Sequence, residues 1–318
     1  AQLGPPRAQM RTEPPGSDMS LTARLHRRSD LAAARAFHAL KRLRWAARPT
    51  RDLDAKTVVF VAGVQRSGTN MITDVLRRSI ETDVYHETDP RAFDDYEMRP
   101  LPVIRDLVAR SPARVIVFKC LCELQDLRQL LDAFPNARAV WNLRRTDDMV
   151  NSHAKARFKA GRHRLCPARI NDLALDVDAA GWRGRGMRPE TQALLRQHAH
   201  PAINHESAVG LFWYLRNQLY FDQQLQADPR VRVLAYEDFV TEPRALGRAL
   251  FDWLDLPPSG YAVGAVTARS IGRWQQPEID PEVRALCQRL HARFDAQAPG
   301  IRAAAPKAAV QPVLSRAG

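Results

Sequence analysis

The sequence predicts an α/β fold with one doubly wound, mostly parallel sheet and helices on both of its faces. Short apolar, β-branched runs alternate with helical patterns along the chain, which is typical of parallel strands joined by crossover helices. The first run leads through a glycine-bearing loop into a helix, as in P-loop-like folds. The chain has 318 residues, of which 45% are hydrophobic, enough for one sizeable domain with appendages.

Four apolar runs predict the strands of this sheet: residues 57–62, 115–118, 139–143 and 231–235. Helices are predicted at residues 124–133, 147–159, 206–225 and 243–254. Thr146 has the side chain of an N-cap for the second helix. Because ligands of doubly wound sheets bind beyond the carboxyl ends of the strands, we expect the functional site at that edge.

Composition divides the chain into segments with different roles. Residues 1–20 are rich in proline and polar residues, which predicts a disordered tail. Residues 21–50 predict a basic N-terminal helix that packs on the domain or makes peripheral contact with an anionic membrane. The main domain is assigned to residues 57–298, in which the arginine-rich, irregular stretch 155–205 is interpreted as a helical insertion or lid. Residues 299–318 are interpreted as a mobile tail.

Net charge and cysteine content limit which binding partners and which cellular compartment we expect. The net charge of +13 suits an anionic partner. However, the arginines are spread along the chain without interleaved aromatic residues, so a nucleic-acid partner is not expected. Four scattered cysteines do not form a disulfide framework and predict buried thiols. The chain has no apolar run long enough for a transmembrane helix and no signal-peptide pattern, so we expect a cytoplasmic protein.

The loop after the first strand, Gly63-Val-Gln-Arg-Ser-Gly-Thr69, has the composition of a phosphate cradle. Main-chain N–H groups and the positive end of a helix dipole converge on such a loop. Gly63 and Gly68 permit a tight turn, and Arg66 adds a guanidinium that can bind an anion through two donors. The spacing fits a Walker A loop, but Thr69 stands where that loop has lysine. The loop therefore predicts a nucleotide-phosphate site of a different kind from that of an ordinary kinase or ATPase.

A second candidate element follows the strand at residues 139–143. Arg144 lies at the carboxyl end of this strand, and Ser152 lies eight residues later, on the first turns of the next helix. Both side chains can reach one phosphate, the arginine through its planar fork and the serine through its hydroxyl. Taken alone, this pair is also typical of a surface arginine and a surface serine.

Together, the two elements resemble the sulfotransferases that use 3′-phosphoadenosine 5′-phosphosulfate (PAPS), in a bacterial-type form. In that family a loop of the type PRSGTT binds the 5′-phosphosulfate, and an R-x7-S element binds the 3′-phosphate. The matching residues here are Val64–Asn70, and Arg144 with Ser152. Residues 234–257 resemble the family's YEDL…P…FLGLP segment, and residues 269–274 resemble its late G-x-W loop near the 3′-phosphate.

The resemblance covers about residues 57–275 and implies a set of donor-binding residues. These are Arg66, Ser67, Gly68, Thr69, Asn70, Arg144, Ser152, Tyr236, Arg269, Ser270 and Arg273. Gln65 stands in place of the family's usual proline, and Asn70 in place of its second threonine. Neither departure removes a charged ligand, so the implied donor is unchanged.

The spacing of the candidate catalytic residues is similar to that of the protein-tyrosine sulfotransferase branch. The resemblance implies that Lys119 stabilises the leaving phosphate-side oxygen, together with Arg66. It also implies that Glu87, 21 residues after Arg66, deprotonates the acceptor. Sulfonate transfer needs a base and cations, and a carboxylate serves as the base when burial raises its pKa. His86 and His153 remain alternative bases, because other branches use histidine.

The resemblance thus implies an enzyme that moves a sulfonate from PAPS to a hydroxyl or amine and releases adenosine 3′,5′-bisphosphate (PAP). The acceptor class is left open among small molecules, glycans and lipids. No metal is expected, since Arg66, Lys119 and Arg144 supply the positive charge. Two alternatives stay open: a P-loop kinase or NTPase, and a basic nucleic-acid or polyanion-binding module with a degenerate nucleotide pocket.

Overall fold

The computed structural model describes residues 36–37, 39–47, 52–155, 165–264, 266–268 and 276–302. The chain divides into two compact units, residues 1–49 and residues 50–318. In the first unit, residues 39–46 are helical. Lys41 Nζ lies 5.0 Å from the centroid of the Trp45 ring, so a cation–π contact supports this helix.

The described part of the second unit contains seven strands. They are β1 (Thr57–Gly63), β2 (Thr82–Tyr85), β3 (Phe93–Asp94), β4 (Glu97–Met98), β5 (Val115–Cys120), β6 (Ala137–Leu143) and β7 (Val231–Ala235). Five of them form the main sheet in the order β2-β5-β1-β6-β7, and every pairing within it is parallel. The remaining two, β3 and β4, form a separate antiparallel hairpin.

Helices cover both faces of the main sheet. In the described part of this unit they are α1 (Thr69–Arg77), α2 (Leu101–Arg110), α3 (Leu127–Asp132), α4 (Thr146–Lys155), α5 (Pro167–Leu175), α6 (Pro189–His198), α7 (His205–Asp222), α8 (Tyr236–Thr241), α9 (Pro243–Trp253), α10 (Gly260–Val263) and α11 (Pro281–Gln297). Successive β1 residues enter opposite apolar clusters: Phe60 packs in the cluster that includes α7, and Val61 in the one that includes α1 and α9. This alternation follows from the two-residue period of a strand and confirms the doubly wound fold class.

The four predicted strands are all present, and three of them are slightly longer than expected. The edge strand β2 was not predicted, because it is only four residues long and has a mixed burial pattern. Thr146, predicted as the N-cap of its helix, is instead the first helical residue of α4. The predicted insertion is helical in its described part, which contains α5 and α6.

Residues 299–302, which the sequence assigns to a mobile tail, instead pair with the edge of the sheet. The main-chain N–H of Val233 donates to the Pro299 oxygen (2.9 Å), and that of Ile301 donates to the Val233 oxygen (3.0 Å). Ile301 is also buried. The expectation was wrong here because β7 offers an unpaired edge whose main-chain groups this segment satisfies.

Among the described helices, none combines the length and the apolar character that crossing a lipid bilayer requires.

Candidate active site

The loop between β1 and α1 has the backbone conformation of a tight anion-binding turn. Arg66 and Gly68 both lie in the left-handed region, with φ values of 70° and 98°. The Ser67 N–H donates to the Val64 oxygen (3.0 Å) inside the loop. Thr69 then begins α1, so the unpaired N–H groups of the first helical turn follow directly. Such a loop before a helix N-terminus is suited to a phosphate or a sulfonate.

Tyr236, the residue that follows β7, packs against this loop. A Cβ atom placed on Gly68 would lie 2.3 Å from Cδ2 of the Tyr236 ring, so no side chain fits there. The same ring lies beneath Arg144, whose guanidinium carbon is 4.3 Å from the ring centroid. Tyr236 therefore contacts both of the elements that the resemblance assigns to the donor.

The R-x7-S element meets the loop directly. Arg144 follows β6 and is buried, and its Nη1 donates to the main-chain oxygen of Arg66 (3.0 Å). Trp213 of α7 fixes this position by donating from Nε1 to the Arg144 oxygen (2.9 Å). Arg66 Nε in turn donates to the Ser152 hydroxyl (3.1 Å). The fold thus brings Arg66, Arg144 and Ser152 together, while their role in donor binding stays a prediction.

The electrostatics of this cluster favour an anion. Partial burial and the neighbouring Arg144 lower the pKa of Arg66, because two nearby guanidinium groups repel each other. An anion between them would relieve this repulsion. In addition, the Ser67 hydroxyl is buried and has no hydrogen-bond partner among the described residues, so it has a hydrogen bond to offer a ligand.

A second cluster, which we call the four-residue ring, lies beside the loop and consists of Asn70, His86, Glu87 and Lys119. Lys119 Nζ donates to Glu87 Oε1 and to Asn70 Oδ1. His86 Nδ1 lies 2.5 Å from Glu87 Oε2, and His86 Nε2 lies 3.1 Å from Asn70 Oδ1. The ring therefore joins the start of α1, the segment after β2 and the end of β5.

The charges of the ring are set by burial and by their neighbours. Burial lowers the pKa of Lys119, and the nearby Glu87 carboxylate offsets only part of this effect. For Glu87, burial alone would raise the pKa, but the hydrogen bond from His86 and the charge of Lys119 outweigh it, and the pKa is lowered. A pKa raised by burial, the condition under which a carboxylate serves as the base, is therefore not met while His86 and Lys119 are the partners of Glu87.

The remaining predicted residues lie outside the ring. His153 is buried in α4, where its ring packs against the ring of His205 with 5.6 Å between centroids. Arg269, Ser270 and Arg273 belong to the part of the chain that the structure does not describe.

Two buried polar residues near the site were not anticipated. Asn142 of β6, the register partner of Gly63, is fully buried, and its amide has no hydrogen-bond partner among the described residues. Arg216 of α7 is also buried and donates to the main-chain oxygens of Leu121 (3.4 Å) and Cys122 (3.2 Å). It thereby fixes the segment that follows β5. A lone polar residue inside an apolar strand or helix pattern was the signal in both cases.

Glu123, in the same segment, ties the β3–β4 hairpin to the end of β5. Its Oε1 accepts a hydrogen bond from the Met98 N–H (2.5 Å). Burial raises the pKa of this carboxyl to about 7, despite the opposing effects of that hydrogen bond and of Arg216. The carboxyl therefore changes charge near neutral pH.

No protein-family model matches the chain, and a search of the curated proteins finds no match. Among solved structures, the chain is similar to a sulfotransferase from Alicyclobacillus acidocaldarius (TM-score 0.45, 19% identity, 79% of this chain and 95% of that chain). It is also similar to a sulfotransferase domain from the curacin biosynthetic pathway (0.47, 12%, 77% and 99%). A third is mouse sulfotransferase SULT7A1 complexed with PAP (0.37, 14%, 69% and 67%). All three are sulfotransferases, the class of enzyme whose motifs the sequence of this chain resembles.

Proposed function

We propose that the protein transfers a sulfonate group from PAPS to a hydroxyl or amine of an acceptor and releases PAP. One observation carries this proposal: the phosphate loop has Thr69 in place of the Walker lysine, and its positive charge comes from other residues. Arg66 lies within the loop, Arg144 donates to the main-chain oxygen of Arg66 (3.0 Å), and Lys119 donates to Asn70 at the start of α1. Two adjacent basic subsites suit a donor with phosphates at both its 5′ and 3′ positions.

The proposed reaction assigns a distinct task to each charged group. Transfer of the sulfonate is an in-line displacement, in which charge develops on the phosphate oxygen that leaves. In this proposal, Lys119 and Arg66 stabilise that charge. The acceptor must lose a proton, and Glu87 is the carboxylate that lies next to Lys119.

Donor binding and activation of the base are coupled in this proposal. The charge of Lys119 is one reason why the pKa of Glu87 is lowered. A donor that draws the ammonium group of Lys119 to its own phosphate side leaves Glu87 with His86 as its partner. The pKa of the carboxyl then rises, and Glu87 becomes a stronger base.

A P-loop kinase is less well supported by the same residues. Such an enzyme needs the loop lysine for the nucleotide phosphates and a carboxylate to hold Mg²⁺ beside them. Here the loop position is Thr69, and the side chains that β5 and β6 bring to the loop are Lys119 and Arg144.

Thermal-shift titration with PAP, and separately with ATP and Mg²⁺, tests the proposal. PAP should raise the melting temperature in a saturable way, because a ligand at about 100 times its Kd stabilises the native state by about 2.7 kcal/mol. ATP should have a much smaller effect. Arg66→Ala should remove most of the PAP response. Arg77→Ala is the matched control, because it removes an exposed arginine that pairs with Asp74 on the same helix (3.2 Å).

Two outcomes would contradict the proposal. Stabilisation by ATP and Mg²⁺ without any response to PAP would favour the kinase. Steeply salt-dependent binding to nucleic acid, with no response to either nucleotide, would favour a basic binding module.

A further inference from the structure

The side chain of Asn70 leaves its own helix and contacts a residue near the end of β5. Asn70 is the second residue of α1, a helix whose N-cap is Gly68. Lys119 Nζ donates a hydrogen bond to Asn70 Oδ1, and His86 Nε2 lies 3.1 Å from the same atom. An ammonium group has donors only, so the atom that Lys119 contacts must be the carbonyl oxygen of the amide. The start of α1 is thus joined to Lys119 by a hydrogen bond in which Asn70 is the acceptor.

The main chain of Asn70 belongs to the anion-binding end of α1. The N–H groups in the first turn of a helix have no acceptor within that helix, and Asn70 lies in this turn. The Thr73 hydroxyl lies within hydrogen-bond distance of the main-chain oxygens of Thr69 (3.0 Å) and Asn70 (2.9 Å). Thr73 is fully buried, so it fixes this turn. Asn70 therefore offers its N–H to an anion in the loop and its side-chain oxygen to Lys119.

The two oxygen partners of Lys119 differ in charge and in position. Glu87 Oε1 belongs to a carboxylate on the segment after β2, and the lowered pKa of this group keeps it charged. Asn70 Oδ1 is neutral and lies on the helix that follows the phosphate loop. In the proposed reaction the ammonium group must move from Glu87 toward the 5′-phosphate of the donor. Asn70 is the partner that already lies on the phosphate side of the site.

We propose that Asn70 is a positioning residue for Lys119, a role that rests on the proposed sulfonate transfer. Its amide oxygen keeps the ammonium group beside the loop when the donor draws that group away from Glu87. The N–H and the side-chain oxygen of one residue then hold the phosphate and the ammonium group next to each other. The charge of Lys119 is thereby directed at the phosphate oxygen that leaves.

This role differs from the one that the resemblance implies for residue 70. The family has its second threonine at this position, and the resemblance implies that Asn70 binds the donor. A threonine hydroxyl lies one bond closer to the main chain than Asn70 Oδ1 does, so it does not reach Lys119 from the same backbone position. Threonine and asparagine have the same main-chain N–H. The contact with Lys119 therefore depends on the asparagine, whereas the main-chain contribution to the loop does not.

A crystal structure of the wild type with PAP tests the contact directly. We expect Lys119 Nζ to stay within hydrogen-bond distance of Asn70 Oδ1, to contact the 5′-phosphate of PAP and to have separated from Glu87. An ammonium group that contacts the phosphate but has lost Asn70 would overturn the proposal. An ammonium group that stays with Glu87 in the presence of PAP would overturn it as well.

Turnover, measured as the release of PAP from PAPS with water as the acceptor, tests the consequence. Asn70→Thr and Asn70→Ala both keep the main-chain N–H and lose the contact with Lys119. We expect each to lower kcat about tenfold, less than the roughly 100-fold that a misplaced catalytic group can cost. The Kd of PAP should stay within about twofold of the wild type, because only an interaction needed in the transition state has been removed.

Asn136→Ala is the matched control. Asn136 is also exposed, and its Nδ2 donates to the main-chain oxygen of Asp54 (2.5 Å) at the opposite end of the sheet, where β6 begins. This variant should keep both kcat and the Kd of PAP. A weaker affinity for PAP with an unchanged kcat in Asn70→Ala would mean that Asn70 is a donor ligand and not a positioning residue.

Binding of PAP separates a failure of this inference from a failure of the proposed function. If the wild type binds PAP and both Asn70 variants keep the wild-type kcat, only the role of Asn70 is overturned. If the wild type does not bind PAP, the proposed function is overturned and the role of Asn70 with it.

Discussion

Two buried lysines lie at opposite ends of the neighbouring parallel strands β1 and β5 and have different kinds of partners. Lys56 immediately precedes β1 and is 1% exposed, and Lys119 lies near the end of β5 and is 2% exposed. Burial lowers the pKa of both ammonium groups. Lys56 Nζ donates to the main-chain oxygens of Val108 and Ala109, each at 2.7 Å. Lys119 donates to side-chain oxygens.

Under the proposed function, this difference separates a structural cation from a catalytic one. The partners of Lys56 are carbonyls of the last turn of α2, where the helix dipole is negative, and they stay in place as long as the helix does. The partners of Lys119 are side chains at the carboxyl ends of the strands, where the proposed donor binds, and a negatively charged ligand can replace them. Burial alone does not distinguish the two lysines, whereas the exchangeability of their partners does.

The largest effect is expected for Lys119→Met. Removing a group that stabilises charge in the transition state typically reduces kcat about 10²- to 10³-fold. The melting temperature should fall as well, because the buried Glu87 carboxylate loses its cationic partner, so turnover is expressed per folded molecule. PAP release from PAPS, together with the melting temperature, measures both quantities. Turnover within tenfold of the wild type would mean that Lys119 is a structural lysine like Lys56.

The opposite pattern is expected for Lys56→Met. Two main-chain carbonyls lose their donor, that of Val108 buried and that of Ala109 partly buried, and an unsatisfied buried group costs about 1 to 3 kcal/mol. We expect the free energy of unfolding in urea to fall by about 3 kcal/mol, while turnover per folded molecule stays unchanged. A loss of turnover without a loss of stability would contradict the structural role of Lys56.

A smaller, pH-dependent effect is expected for Glu123→Gln, which extends the comparison to a buried carboxyl held by the main chain. Its pKa is raised from 4.5 to about 7 in the folded protein. The stability gained from the protonated carboxyl is therefore complete below about pH 4.5 and is lost as the pH rises through 7. The glutamine side chain of the variant is neutral at every pH, so the variant does not lose this stability.

Stability measurements at two pH values check this prediction. At pH 5 the variant and the wild type should unfold at similar urea concentrations. At pH 8 the variant should be more stable by about 1 to 2 kcal/mol. This is less than full linkage would give over the whole shift, at about 1.4 kcal/mol for each pKa unit, because the amide also loses the attraction of the carboxylate to Arg216. Glu242→Gln, which removes an exposed carboxylate paired with Arg302, is the matched control. An equal difference at both pH values would contradict the raised pKa.

The central strands and the phosphate loop can be predicted from the sequence, because each depends on residues that are close together in the chain. The strands β1, β5 and β6 are buried on almost every residue and therefore appear as continuous apolar runs. The loop is defined by residues that are adjacent in the chain. In contrast, β2 has intermediate burial at Asp83 and Val84 and no such pattern.

The four-residue ring could not be predicted in the same way, because it depends on strand order and register. β2 pairs with β5 so that Tyr85 lies beside Phe118, and this register places His86 and Glu87 next to Lys119. The resemblance implied roles for Glu87 and Lys119 one by one. The direct ion pair between them, and the place of His86 and Asn70 in the same network, required the fold.

The Tyr236 ring has a consequence for how this protein can change. One part of the ring occupies the space where Gly68 lacks a side chain, and its face supports the guanidinium of Arg144. A mutation that enlarges residue 68 displaces the ring and thereby disturbs Arg144. Under the proposed function, the affinities for the 5′ and 3′ ends of the donor are therefore coupled, and selection for a donor with a single phosphate is expected to yield paired replacements at positions 68 and 236.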